Sequence, residues 1–148
     1  MGARSARRDS AFAVILRRTL VLLVRTHGRD RWQLPGGGLK RRETARAAAL
    51  REVEEETGLR ARLLGRTGEY RRSDGSLAIV FAARVAWDAE PAGPRFEIRE
   101  QRWVEGRKAL RLLPRKSRQR LAEALAAPLA FGARSARGSR PATALPAR

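Results

Sequence analysis

Four glutamates stand close together in a chain that is otherwise strongly basic. Glu52, Glu54, Glu55 and Glu56 fall within five consecutive residues, although the whole protein has only 15 acidic residues and a net charge of +18. Such a cluster repels itself unless a cation neutralises it. Carboxylate oxygens are the ligands that hard divalent cations prefer, above all Mg²⁺. The cluster therefore predicts a magnesium site.

A helix is the element that has to position these carboxylates. The alanine-rich run at residues 45–50 favours a helix over residues 44–57. At about 100° per residue, Glu52, Glu55 and Glu56 fall on one arc of the helix surface, and Glu54 points away from its centre. Three of the four carboxylates can therefore converge on one patch.

The residues around the cluster follow a fixed spacing. Gly37 is followed by five residues and Glu43, and then by seven residues and the pair Arg51 and Glu52. Residues 53–59 continue with an aliphatic residue, two glutamates, a glycine and a second aliphatic residue. Position for position, this segment resembles the signature of the Nudix hydrolases.

The segment just before the signature supports the resemblance. Residues 32–36, Trp-Gln-Leu-Pro-Gly, also resemble the sequence that precedes the signature in this family. An exposed acidic helix on a basic protein is the competing interpretation. It does not explain the fixed spacing of Gly37, Glu43 and Gly58.

The resemblance implies an activity, a cofactor and roles for the residues of the signature. The reaction would be metal-dependent hydrolysis of a phosphoanhydride, with Mg²⁺ as the cofactor and Mn²⁺ as a substitute. Arg51 would orient Glu52 through a bidentate pair, which a lysine forms less well. Glu43 would support Arg51 or a metal-bound water. The metal ligands would be Glu52, Glu55, Glu56 and the carbonyl of Gly36.

The general base and the phosphate contacts are less closely specified. In the family the base is sometimes the glutamate equivalent to Glu52 and sometimes a carboxylate of a later loop. Here Glu97 and Glu100 are the later candidates, and both also fit a simpler role as polar residues beside a strand. Phosphate contacts are expected from the loop and strand-end residues Arg25, Lys40 and Gly37, although either cation could equally be a solvated surface residue.

The signature does not specify the group attached to the diphosphate. Nucleoside triphosphates (including damaged ones), dinucleoside polyphosphates, ADP-ribose and nucleotide sugars all fit it. Trp32, Tyr70 and Trp87 could each stack on a base or pack in the core. Two alternatives stay open: hydrolysis at the 5′ end of RNA, and a non-catalytic module that binds nucleotide or RNA.

Length and composition limit the number of domains and the location of the protein. A chain of 148 residues suggests one domain. The absence of cysteine excludes disulfides and fits a reducing cytoplasm. The apolar run at residues 11–16 is too short to span a bilayer, so we expect a soluble, cytoplasmic protein without a membrane partner. A homodimer is left open, and His27 fits an exposed loop better than a catalytic role.

The order of elements predicts the fold class, α/β (α+β). The resemblance implies a Nudix-type α/β/α sandwich with a mixed sheet over residues 11–127. Residues 1–10 are expected to form a flexible basic arm, and residues 128–148 a disordered basic tail. Strands are predicted at residues 11–16 and 20–24, as a hairpin or one long bent strand, and at residues 61–64, 77–87 and 101–104. Residues 69–72 could extend the 61–64 strand beyond a bend at residues 65–68, and further helices are predicted at residues 107–113 and 115–127.

Overall fold

The structure, a computed structural model, describes residues 8–128. Most of the predicted arm and tail therefore lie outside the described residues. The strands are β1 (Ser10–Arg17), β2 (Leu20–Thr26), β3 (Trp32–Gln33), β4 (Gly36–Gly38), β5 (Arg62–Arg71), β6 (Leu77–Arg84) and β7 (Ile98–Glu105). The helices are α1 (Ala45–Thr57), α2 (Gly106–Leu112) and α3 (Arg115–Ala126). None of the helices within residues 8–128 has the length and apolar composition needed to cross a membrane.

Strand β1 is the centre of a seven-stranded mixed sheet. It pairs in parallel with β6, and antiparallel with β4 near its start and with β2 near its end. Strand β6 also pairs antiparallel with β5, while β2 pairs antiparallel with both β3 and β7. The nearly continuous apolar run of β1 follows from this position, because both faces of the strand are covered.

Helices cover both faces of the sheet. On one face, Ala48, Ala49 and Val53 of α1 pack against alternate residues of β1, including Ile15. On the other face, α2 and α3 pack against a second cluster that contains Val14. Full burial of an aliphatic side chain of this kind contributes roughly 1.5–3 kcal/mol to folding. The predicted α/β/α architecture with a mixed sheet is confirmed.

Local sequence signals determine where α1 begins and ends. The Thr44 side chain caps the first turn by accepting a hydrogen bond from the amide of Ala47 at 3.1 Å. Gly58 ends the helix in the left-handed conformation, with φ of 77°, and its amide donates to the carbonyl of Glu54. The helix therefore spans the predicted segment.

Several strand predictions need correction. The predicted extension of the 61–64 strand into residues 69–72 is found in β5, which has two register shifts near Gly65 and Gly68. Strand β6 ends at Arg84 rather than at residue 87, and the side chain of Trp87 is 83% exposed. Strand β7 starts three residues earlier than predicted, and the short strands β3 and β4 were not predicted at all.

Gly58→Ala should destabilise the fold, since a Cβ there would lie 2.6 Å from a guanidinium nitrogen of Arg95 and 2.7 Å from the Cβ of Ala92. We expect a loss of about 2–3 kcal/mol in urea unfolding, from the left-handed backbone together with the steric clash. Gly93→Ala is the matched control, because φ is 90° there but nothing lies within 4 Å of the added Cβ. Equal losses in the two variants would contradict the steric part of this explanation.

Candidate active site

A cavity of about 410 Å³ lies where the last turns of α1 face the turn that precedes β7. We call it the carboxylate cavity. The sequence-predicted acids Glu52, Glu55 and Glu56 line it from α1, and Glu97 lines it from the turn. Phe96 and Ile98 complete the lining. The structure thus brings three carboxylates of the signature and one of the two later-loop carboxylates to one place.

Arg51 ties this group together. Its guanidinium donates two hydrogen bonds of 2.8 Å to the carboxylate of Glu43. It also donates to Glu52 at 3.0 Å, to Glu55 at 3.2 Å and to the carbonyl of Gly38 at 3.0 Å. A planar, five-donor guanidinium can satisfy this many acceptors at once, whereas an ammonium cannot. The predicted pair between Arg51 and Glu52 is present, but the bidentate partner is Glu43.

Glu43 lies just before α1 and is held by two kinds of donor. In addition to Arg51, the backbone amide of Lys40 donates to its carboxylate at 2.8 Å. These hydrogen bonds, the one from Arg51 first, lower the pKa of Glu43 from 4.5 to about 2. The role of Glu43 visible here is therefore to anchor Arg51.

Glu56 is the carboxylate with the least favourable surroundings for a charge. The backbone amide of Gly36 donates to its Oε1 at 2.8 Å. Burial, together with the neighbouring charges of Glu52, Glu55 and Glu97, raises its pKa to about 8, although the hydrogen bond from Gly36 acts in the opposite direction. A cation bound beside Glu56 would stabilise the charged carboxylate and so counteract both the burial and the repulsion.

Glycine at position 37 allows the close approach of the loop to α1. A Cβ at Gly37 would lie only 2.5 Å from Oε1 of Glu52. The backbone at this glycine therefore closely approaches the side chain of Glu52. The predicted ligand residue Gly36 is its neighbour in β4.

The donor set of the carboxylate cavity fits a hard divalent cation. Four carboxylates line it, and burial of Glu56, together with the repulsion from its neighbours, disfavours its ionisation. Within residues 8–128, no three acidic or histidine side chains are close enough together to hold an ion as they stand. The oxygens of Glu52 and Glu55 accept hydrogen bonds from Arg51. A cation would compete with Arg51 for these oxygens.

Glu100 and Arg25 do not join the carboxylate cavity. The two side chains form an ion pair with each other, and Arg102 adds a second ion pair to Glu100 at 2.7 Å. These hydrogen bonds, the one from Arg25 first, lower the pKa of Glu100. Arg25 and Arg102 also lie over the ring of buried Trp32, at 4.5 and 5.3 Å from its centroid. Of the two later carboxylates, Glu97 lines the carboxylate cavity and Glu100 does not.

The other predicted contacts have varied surroundings. The amide of Lys40 is engaged with Glu43, and Lys40 itself is exposed. Tyr70 donates its phenol hydrogen to Glu123 of α3, on the sheet face opposite α1. Trp87 lines neither the carboxylate cavity nor a second, adjoining cavity described below. None of the three predicted aromatic residues lines either cavity.

Sequence reasoning missed Gln101 and Phe96. The amide nitrogen of Gln101 donates to the carbonyls of Glu56 and Gly93, at 2.6 and 2.8 Å, and its oxygen accepts from the amide of Gly93. Gln101 thus fastens the loop before β7 to the end of α1. No sequence signal could have identified it, because the contacts depend on long-range register. The turn at Phe96 was signalled only by an aromatic residue between polar neighbours.

Phe96 also lines a second cavity of about 630 Å³, which we call the loop cavity. Its side chain is 78% exposed, and its backbone is left-handed with φ of 49°. Glu97 lines both cavities as well, so the two adjoin. The last residue of β2, the loop after it and one residue of β3 supply the rest of the lining: Thr26, His27, Gly28, Arg29 and Gln33.

Comparison with known proteins assigns the family. The NUDIX domain profile matches residues 6–127. A Bacillus subtilis protein, provisionally named an 8-oxo-dGTP diphosphatase, is 34% identical over 115 residues, which are 75% of this chain and 76% of that protein. The chain belongs to the Nudix family. The family resemblance in the sequence is therefore confirmed, and the protein is a hydrolase that acts on acid anhydrides.

Other relatives match a shorter region or only the fold. An RNA pyrophosphohydrolase of Teredinibacter turnerae is 51% identical over 37 residues, which are 25% of this chain and 22% of that protein. The crystal structure of a Nudix hydrolase from Nitrosomonas europaea has a TM-score of 0.73 at 20% identity, over 87% of this chain and 78% of that one. Nudix proteins generally use divalent cations such as Mg²⁺.

The bond between Glu43 and Arg51 makes a pH-dependent contribution to stability. Because the folded pKa of Glu43 is depressed, this contribution is present above about pH 4.5 and is lost as the pH falls toward about 2. In urea unfolding, we expect the stability difference between wild type and Glu43→Gln to shrink over that window. A difference independent of pH would contradict the ion pair as described.

Proposed function

We propose that this protein is a Mg²⁺-dependent pyrophosphohydrolase that cleaves the phosphoanhydride of a nucleoside diphosphate linked to another group. The observation that carries the proposal is the carboxylate cavity, in which three glutamates of α1 face Glu97. Arg51 holds Glu52 and Glu55, and the amide of Gly36 holds Glu56. The proposed ligands are the carboxylates of Glu52, Glu55 and Glu56 and the carbonyl of Gly36.

The residues of the cavity have distinct tasks in the proposed reaction. A divalent cation held by Glu52, Glu55, Glu56 and the carbonyl of Gly36 would supply charge neutralisation of the diphosphate and would lower the pKa of a nearby water. Glu97 or Glu52 accepts the proton of the attacking water. The water oxygen forms a bond to phosphorus while the anhydride P–O bond breaks, and the leaving phosphate keeps the electron pair. Arg51 keeps Glu52 oriented, and Glu43 keeps Arg51 in place.

Nucleoside triphosphates, including damaged ones, are the substrate class that we favour. The Bacillus subtilis relative, whose name points to 8-oxo-dGTP, matches this chain over three quarters of both proteins. The loop cavity adjoins the carboxylate cavity and is large enough for a nucleoside. In our proposal the diphosphate lies against Glu52, Glu55 and Glu56, and the base stacks on the exposed ring of Phe96.

The 5′ end of RNA is the second candidate substrate. Local matches to RNA pyrophosphohydrolases and the high positive charge favour it. A non-catalytic binding module is less consistent with the site, because Arg51, Glu52, Glu55 and Glu56 are all present. The cytoplasmic location and the homodimer stay predictions.

Glu56→Gln and Glu52→Gln should each lower kcat/KM by about 100-fold or more in the presence of Mg²⁺. The assay is release of phosphate and pyrophosphate from a panel of dNTPs, 8-oxo-dGTP, ADP-ribose, dinucleoside polyphosphates and triphosphorylated RNA. Glu54→Gln is the matched control, because it removes an exposed carboxylate of the same helix that does not line the cavity. We expect it to stay within about twofold of wild type.

Turnover that survives in Glu52→Gln and Glu56→Gln would move the reaction away from this cavity. Absence of turnover of every substrate, with nucleotide still bound, would favour the binding module.

Phe96→Ala should raise KM for the preferred nucleotide by about tenfold while kcat changes little, because stacking contributes mainly to binding. Trp87→Ala is the control, since this side chain is equally exposed but lines neither cavity. Steady-state kinetics on the best substrate of the panel measures both. Unchanged KM in Phe96→Ala would exclude the proposed stacking.

A further inference from the structure

A small basic cavity lies on the sheet face opposite α1. It has a volume of about 140 Å³ and lies between the first turns of α3 and the end of β5. We call it the α3 cavity, and its lining residues are Tyr70, Arg71, Arg72, Lys116, Gln119 and Arg120. It shares no lining residue with the carboxylate cavity or the loop cavity. No task in the proposed reaction uses it.

Arg120 is the unusual residue of this cavity. It is only 8% exposed, and its guanidinium lies over the rings of Phe12 and Tyr70, at 5.0 and 5.5 Å from their centroids. None of the ion pairs between residues 8 and 128 includes Arg120. Aromatic rings stabilise a buried cation only in part. The positive charge of Arg120 is therefore left without a carboxylate partner in this part of the chain.

The nearby carboxylate of α3 has another partner. Glu123 accepts the phenol hydrogen of Tyr70 at 2.8 Å. Burial and this hydrogen bond raise the pKa of Tyr70 to about 12, so the phenol stays protonated and keeps donating to Glu123. Burial and the charge of Arg72 both lower the pKa of Arg120. The surroundings of Arg120 thus favour an added anion.

Further cations surround the opening of the α3 cavity. Arg72 is half-buried, Lys116 is exposed, and neither takes part in an ion pair between described residues. The guanidinium of Arg71 is engaged with the carbonyl of Gly75 at 3.0 Å, so it adds charge rather than a free fork of donors. Two other residues of α3 line the cavity, Lys116 and Gln119. Both side chains carry hydrogen-bond donors.

The size of the cavity restricts the ligand. A volume of about 140 Å³ corresponds to four or five water molecules at roughly 30 Å³ each. One tetrahedral oxyanion fits this space, but a nucleoside does not. Its donors are guanidinium, ammonium and amide groups, which match the oxygens of a phosphate.

We propose that the α3 cavity binds one phosphate group, with Arg120 as the buried anchor and Arg72 and Lys116 as the outer contacts. The phosphate comes either from the backbone of a single-stranded RNA or from free inorganic phosphate. The site lies on the face of the sheet opposite the carboxylate cavity and does not depend on the proposed hydrolysis.

NMR titration of metal-free protein tests the proposal, with inorganic phosphate in one arm and a short RNA without terminal phosphates in the other. We expect saturable shifts of the Gln119 side-chain amide and of the Arg120 Nε–H, with a Kd of about 1 mM or lower. Stronger binding of the RNA than of phosphate would identify the backbone as the source. Equal or weaker binding of the RNA would identify free phosphate.

Arg120→Gln should weaken binding by about tenfold or more, because a charge-assisted contact to a buried donor is lost. If Arg120→Gln does not fold, Arg72→Gln and Lys116→Gln carry the test, and each should weaken binding several-fold. Arg115→Gln is the matched control, since it removes the same charge from an exposed residue of α3 that does not line the cavity. Non-specific attraction to a basic surface would respond equally to all four changes.

Nucleotide turnover should be unchanged in Lys116→Gln, so this site and the proposed hydrolase activity can fail separately. Absence of saturable shifts with both ligands would overturn the proposal. Equal weakening in Lys116→Gln and Arg115→Gln would overturn it as well.

Discussion

The hydrogen bonds of Arg51 are the interaction on which the site depends. One guanidinium binds Glu43, Glu52 and Glu55 and also the carbonyl of Gly38. It therefore joins the later turns of α1 to the segment that precedes this helix. Without a cation at this point, the carboxylates of α1 would repel one another in a partly buried space. Arg51 therefore lets the protein fold with its acids already gathered, before any metal or substrate is present.

The gathering of acids has a cost that indicates the function. Burial and neighbouring charges raise the pKa of Glu56 to about 8, although the amide of Gly36 donates to it. A site built only for stability would not crowd carboxylates in this way. The surrounding protein carries a net charge of +18, which attracts polyanions to a cavity whose lining is acidic. In the proposed function, a divalent cation between the carboxylates and a diphosphate would reconcile these two charge patterns.

The family, helix α1 and its carboxylate face could be predicted from the sequence, because they depend on spacing within one short segment. The capping of α1 by Thr44 and Gly58 is local for the same reason. Contacts that depend on the pairing of distant strands could not be predicted. Glu97 and Glu100 are the same residue type and only three residues apart. The register of β7 with β2 pairs Glu100 with Arg25 and leaves Glu97 at the cavity.

Binding of Mn²⁺ followed by its electron paramagnetic resonance signal tests the central claim, that the carboxylates of α1 form a cation site, without assuming a substrate. Wild type and Glu54→Gln should bind the ion with the same affinity. Glu56→Gln should bind at least about tenfold more weakly, because one ligand of the site is removed. Equal affinity in wild type, Glu54→Gln and Glu56→Gln would contradict the account.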